Sequence, residues 1–339
     1  VFLFVLAVFD LMVGVSNDAV NFLNSAIGAK VAKFRTIIIV AAVGVFMGAT
    51  MSNGMMEVAR NGVFHPAMFS LKELMFIFLA VMISDVILLD IFNNLGLPTS
   101  TTVSLVFELL GGTTAFVLLK LANDTTGLTV GDLMNTEKAL GMIMAIFVSV
   151  AIAFFFGIVL QYISRIVFTF TYKKNLKWKI GIFGGVATTA IFYFMLFKGI
   201  KSMSFVTPEI YEYIQNHTLT ILGICFLAST AIMQFLYFLK VNVFKILVLM
   251  GTFALAMAFA GNDLVNFIGV PLAGYSAYTD FAASGASDPS TFMMSSLEGP
   301  AKSPMIFLVA AGAVMVFSLA TSKKAHNVIK TSVDLSRQS

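Results

Sequence analysis

The chain has 339 residues, of which 59% are hydrophobic and only 11% charged, with a mean hydropathy of +0.94; at about 20 residues per crossing, roughly 200 apolar residues suffice for about ten membrane spans. An ordinary soluble domain carries about 25% charged residues, so that class is excluded, as are disorder and coiled coil. The single cysteine, Cys225, lies in an apolar run and excludes an internal disulfide or a thiolate metal cage, and the net charge of +4 comes from lysines at the ends of apolar runs, where they anchor helices rather than bind nucleic acid.

The chain opens on Val1 without an initiator methionine or basic leader. The expectation is a fragment whose first helix is clipped, rather than a protein freed of a signal peptide. Apolar runs fall at about 1 to 15, 36 to 56, 74 to 95, 103 to 121, 139 to 163, 179 to 198, 218 to 239, 243 to 259 and 305 to 321. Backbone polar groups cannot stay unpaired in lipid, and these runs are too long for barrel strands, so the fold class is all-α and polytopic.

Loop charge sets the orientation. Lys30, Lys33 and Arg35; Arg165, Lys173, Lys174, Lys177 and Lys179; Lys240 and Lys245; and Lys323, Lys324, Lys330 and Arg337 form basic groups that belong in the cytoplasm. Between them, 57 to 73 balances Glu57 and Glu73 against Arg60 and Lys72, 123 to 137 holds Asp124, Asp132 and Glu137, and 274 to 304 sets three acids against Lys302; these read as external. If residues 1 to 30 and 243 to 275 each form one interrupted crossing, basic and non-basic loops alternate along about nine crossings.

The most informative feature is an internal repeat. Asn17, Asp18, Val20, Asn21 and Phe22 return as Asn262, Asp263, Val265, Asn266 and Phe267. Under the charge topology the first copy runs inward to Lys30 and the second runs outward from Lys245, so the copies are antiparallel. Inverted repeats that meet near the midplane are an architecture of secondary transporters. Asn17 and Asn21 share a helix face that Asn24 and Gly28 extend, and Asn262, Asn266 and Gly269 repeat it. A carboxylate at helix centre costs about 2.5–3.5 kcal/mol, so Asp18 and Asp263 call for a cation, a proton or water. Interhelical hydrogen bonding, the plainer use of Asn and Asp, returns only about 0.6–2 kcal/mol each.

A second polar cluster, Thr99, Ser100, Thr101 and Thr102, follows Gly96 and Pro98 in LGLPTSTT. Proline early in a helix leaves the following amides and hydroxyls facing outward, which suits an anion; a plain capped helix start is the alternative. Asp85 and Glu108 are further intramembrane carboxylates that could line a pathway or pair structurally, with Asp90 a weaker third. His65, His217 and His326 read as loop residues without metal-ligand spacing, so no transition-metal site is expected.

The paired NDxVNF segments, GLPTSTT and the continuation NSAIGAKVAKFR at 24 to 35 resemble the PiT family of inorganic phosphate transporters, whose signatures are two GANDxxN motifs in inverted halves and GLPxSTTH-like segments. The resemblance implies an inverted-repeat carrier with broken or re-entrant helices in a bacterial inner membrane, moving orthophosphate with sodium or protons and needing no other cofactor. Carried over by motif, Asn17, Asn21, Asn262, Asn266, Thr99, Ser100, Thr101 and Thr102 would bind substrate, and Asp18 and Asp263 the coupling ion. The expected partners are phosphate and the lipid bilayer, and a homo-oligomer is compatible with them. Two departures stand out: Val15-Ser16 and Ala260-Gly261 precede the Asn-Asp pairs in place of Gly-Ala, and Val103 replaces the histidine after STT. They mark a divergent member without that histidine as a proton relay.

This reading divides the chain into a first repeat at 1–163, a basic cytoplasmic loop at 164–178 and a second repeat at 179–339. A counterpart of Pro98 would fall near position 343, so the second repeat is expected to be incomplete. Sulfate or arsenate carriage and a channel are alternatives within transport. An intramembrane aspartyl protease is the alternative from another class, against which the repeat speaks. With no GxxxxGK[ST] sequence, transport driven by ATP hydrolysis in this chain is not expected.

Overall fold

The structure, a computed structural model, describes residues 1–52, 57–123, 127–168, 176–177, 179–195, 207–299 and 303–336. Lys173, Lys174, Asp124, Lys302 and Arg337 of the loop-charge argument lie outside these. In chain order the helices are α1 (Phe2–Asp18), α2 (Val20–Gly28), α3 (Phe34–Met51), α4 (Glu57–Asn61), α5 (Leu71–Leu95), α6 (Thr101–Ala122), α7 (Val130–Leu133), α8 (Thr136–Phe168), α9 (Lys179–Phe194), α10 (Pro208–Asn216), α11 (Thr218–Phe238), α12 (Val243–Ser284), α13 (Met305–Thr321) and α14 (Lys323–Ser336).

Among the described residues each of the nine apolar runs forms a helix, and seven helices are long and apolar enough to cross a membrane, or eight if the bent pair α13 and α14 is one span; α9 is a shorter apolar helix. The protein is therefore a polytopic membrane protein. On α8 only Ala139 is buried, while Phe147 and Phe154 are 66% and 71% exposed. A helix apolar on every side fits lipid as its solvent.

Contacts fix the relative directions of the central helices. Along α1, α2 and α12, Phe4 meets Tyr275, Gly14 meets Phe267 and Phe22 meets Phe259. Numbers rise on one side as they fall on the other, so the two Asn-Asp segments are antiparallel. Helix α3 runs parallel to α12, Gly44 against Phe253 and Gly48 against Met257. The first copy begins in an enclosed stretch, residues 14–20 all being buried, whereas the second opens on exposed Asn262 and half-buried Asp263 and is enclosed only from Asn266, where residues 266–274 are all buried.

The expected interruptions are not at the motifs. Ala19 between α1 and α2 keeps a right-handed helical backbone, with φ −54° and ψ −27°, and its N–H bonds Val15 O. Helix α12 runs unbroken through the second copy for 42 residues. No proline lies between Ala260 and Phe267, and a lone glycine such as Gly261 costs a helix only about 1 kcal/mol. Pro271, inside α12, withholds the N–H that the Phe267 carbonyl would accept. The sharp break lies instead between α13 and α14, which bend by 67°. Helix α14 buries Ala325, Val328 and Ile329, a helical stripe, and lies against α1, α2 and α5. His326 is thus helical, stacked edge-on to Phe34.

At the opposite end the segments after α3, α6 and α12 join in a cap. Phe64 bridges to Met134, Ser70 to Met293, and the buried Arg60 donates to Ser276 Oγ at 3.1 Å and to Ser296 O at 2.9 Å.

Close contact of α3 with α12 depends on glycine. A Cβ on Gly48 would lie 2.0 Å from the Met257 carbonyl oxygen, where only backbone could yield. Gly48→Ala is expected to destabilise the fold by about 1–3 kcal/mol through overpacking, read as earlier thermal unfolding in detergent. Parental stability in this variant would mean the two helices part freely.

Candidate functional site

The site is built around the connector between α5 and α6. Helix α5 ends because Gly96 takes a left-handed backbone, φ 69°, and Leu97 N–H returns to Phe92 O at 2.9 Å; Leu97 also precedes a proline, which disfavours helix. Pro98 thus lies in the connector, not in the first turn of the next helix as the sequence suggested. Ser100 caps α6, accepting from Val103 N–H at 3.3 Å.

The first Asn-Asp copy holds this connector. Asn17, fully buried, donates to Asn93 Oδ1 and to Leu97 O, both at 3.0 Å, and its Oδ1 accepts from Thr99 N–H at 2.8 Å. Asn93 in turn donates to Val13 O at 2.8 Å. Asp18 Oδ2 accepts from the Thr101 hydroxyl at 2.9 Å, and its Oδ1 from Asn21 Nδ2 at 3.3 Å.

The second copy arrives from the other side. Asn266 Nδ2 donates to Thr102 Oγ1 at 2.9 Å and reaches Thr101 Oγ1 at 3.4 Å. One hydroxyl, that of Thr101, therefore donates to an aspartate of the first copy and accepts from an asparagine of the second. Asp263 is half-buried and close enough to Asp18 for the two carboxylates to repel. Asn262 is exposed and donates to Ala258 O on its own helix, outside this network. Asn21, Ser100 and Thr102 are also exposed, so the network borders open space.

The rest of the polar stripe leads elsewhere. Asn24 donates to Ser332 of α14 at 3.0 Å, and Gly28 faces Val333. Asp90 pairs with Lys324 of α14. Asp85 and Glu108 both meet the hydroxyl of Ser104, one helical turn along α6 from Thr101. Sequence reasoning passed over Asn93, Ser104 and Asp10. Asn93 and Ser104 carry no signal outside the folded structure; Asp10, a carboxylate alone in an apolar run, could have been found by the insertion-cost argument applied to Asp18.

What gathers here is rich in donors: amides, hydroxyls and the first-turn N–H groups of α6, next to two carboxylates. Such a set can hold a tetrahedral anion at a helix start while the carboxylates hold a cation. Residues 14–332 match the description "Phosphate transporter family". No curated protein matches the chain. Among solved structures, one described as "The sodium-dependent phosphate transporter" is similar in fold, with a TM-score of 0.68 at 18% identity, over 100% of this chain and 79% of that one. Since the family match runs through nearly all of the sequence, the chain belongs to the phosphate transporter family.

Proposed function

We propose that this chain is a secondary active carrier of inorganic phosphate, coupled to sodium or protons, working in a bacterial inner membrane by alternating access. In this reading Asn21, Asn266 and the hydroxyls of Thr99, Ser100, Thr101 and Thr102 bind the anion, Asn17 forms the site by holding its connector, and Asn262 joins on releasing Ala258 O. Asp18 and Asp263 hold the coupling cation. The observation that carries the reading is the double engagement of Thr101 by Asp18 and Asn266, one from each antiparallel copy. Two carboxylates beside a phosphate repel it unless a cation or proton neutralises them, so each guest strengthens binding of the other. The structural neighbour's description as sodium-dependent supports sodium as that cation.

Uptake of radiolabelled phosphate into proteoliposomes, with sodium and pH gradients imposed separately, tests the proposal. The expected result is accumulation driven by one of the two gradients, inhibited by arsenate more than by sulfate. Flux indifferent to both gradients would identify a channel and defeat the reading.

A further inference from the structure

Two turns from Asp18, the seam of α1, α5 and α6 holds a second polar cluster. The Ser104 hydroxyl lies 2.9 Å from Asp85 Oδ1 and 3.1 Å from Glu108 Oε1. Asp10 is 0% exposed, and its carboxyl is directed at this pair, within bonding reach of Asp85 if one of the two carries a proton. Neither oxygen of Asp10 receives an N–H or O–H, and the same holds for Asp85 Oδ2 and Glu108 Oε2.

The charged groups facing Asp10 are all acidic: Asp85 from α5, Glu108 from α6 and Asp18 from its own helix. Helix α12 adds Asp263, which faces Asp18, and α13 presents the Ser318 hydroxyl to Met12 O. The lysines touching this part of the bundle are paired at its two ends, Lys120 with Glu73 on α5 at 3.0 Å and Lys324 of α14 with Asp90. Among the described residues no cationic side chain compensates the cluster.

A buried carboxylate without a partner is neutralised rather than left charged. Two facing carboxyls bond only when one carries a proton, and the single proton of Ser104 cannot serve both Asp85 and Glu108. Among the described residues no group of three or more His, Cys, Asp or Glu is arranged to hold a metal ion. We propose that Asp10, Asp85 and Glu108 form a proton-binding site, with one proton shared between Asp10 and Asp85 and another between Glu108 and Ser104. Through Ser104 and Thr101 on one face of α6 the site adjoins the motif pocket. It is distinct from the anion site, and the assignment holds whatever the cargo.

Difference infrared spectroscopy of the full chain in nanodiscs, in an Asp18→Asn, Asp263→Asn background that silences both motif carboxyls, reads the protonated-carboxyl C=O stretch directly. The band is expected at neutral pH, to vanish at alkaline pH, and to fall by about half in Asp10→Asn and again in Glu108→Gln, as two bound protons require. Its absence in the background protein, or an undiminished band in both variants, overturns the proposal. Loss of radioactive sodium binding in the variants with no band would place a metal ion there instead. Because the readout needs no phosphate, failure of the carrier reading leaves it interpretable.

Discussion

Asp18→Asn is expected to abolish coupled phosphate uptake, by roughly a hundredfold or more, while the protein stays as stable as the parent or becomes slightly more so. The magnitude follows from the cost of a mid-membrane carboxylate, about 2.5–3.5 kcal/mol, which a bound cation offsets in the working carrier, at about 1.4 kcal/mol per tenfold. Asparagine has the same shape. Its oxygen still accepts from Thr101, and a rotation of Asn21 restores the other contact. The folded state thus loses a buried charge and keeps its hydrogen bonds. Uptake into proteoliposomes paired with thermal unfolding in detergent gives both quantities; parental uptake would remove Asp18 from the coupling site.

Its neighbour should fail differently. Asn17→Ala strips partners from Asn93 Oδ1, the Leu97 carbonyl and the Thr99 N–H at once. Each buried group left unsatisfied costs about 1–3 kcal/mol, so a loss of about 3 kcal/mol or more is expected. Uptake should fall with it, because the connector that sets Thr101 in place is no longer held, and hydrogen exchange at residues 96–103 should quicken. An Asn17→Ala protein as stable as its parent would show that the connector holds itself. Adjacent residues of one motif thus have separable signatures, activity alone for Asp18 and activity with stability for Asn17.

Much of this arrangement was legible in the letters. The repeat of Asn17–Phe22 at Asn262–Phe267, taken with loop charge, predicts antiparallel copies, and the ring contacts of Phe4 with Tyr275 and Phe22 with Phe259 run in that sense. The convergence of LGLPTSTT on the same place was legible only as a polar interruption between apolar runs. Division of labour within the repeat was not legible, because it depends on neighbours distant in sequence. Asn17 meets the α5–α6 connector some 80 positions later, whereas Asn262, the same residue in the same pattern, bonds its own helix. The turn at Ser322 was hidden for another reason: no glycine or proline marks it, and α14 reads as a basic tail until the stripe of Ala325, Val328 and Ile329 is seen against its neighbours.

Helix α12 is about 63 Å long at 1.5 Å per residue, about twice the thickness of the hydrocarbon layer. Its N-terminal portion is clasped along α3, and its C-terminal portion is tied through Ser276 to Arg60 and the cap. Mechanical compliance along this strut is therefore uneven. Between the two fastenings the weak turn is the one Pro271 opens, one turn beyond Asn266. Any tilt of the second copy against the cap concentrates its bending there, whereas the first copy, helical through Ala19 with its backbone bonds kept, has no proline-opened turn beside its motif. The halves repeat a sequence without sharing a hinge.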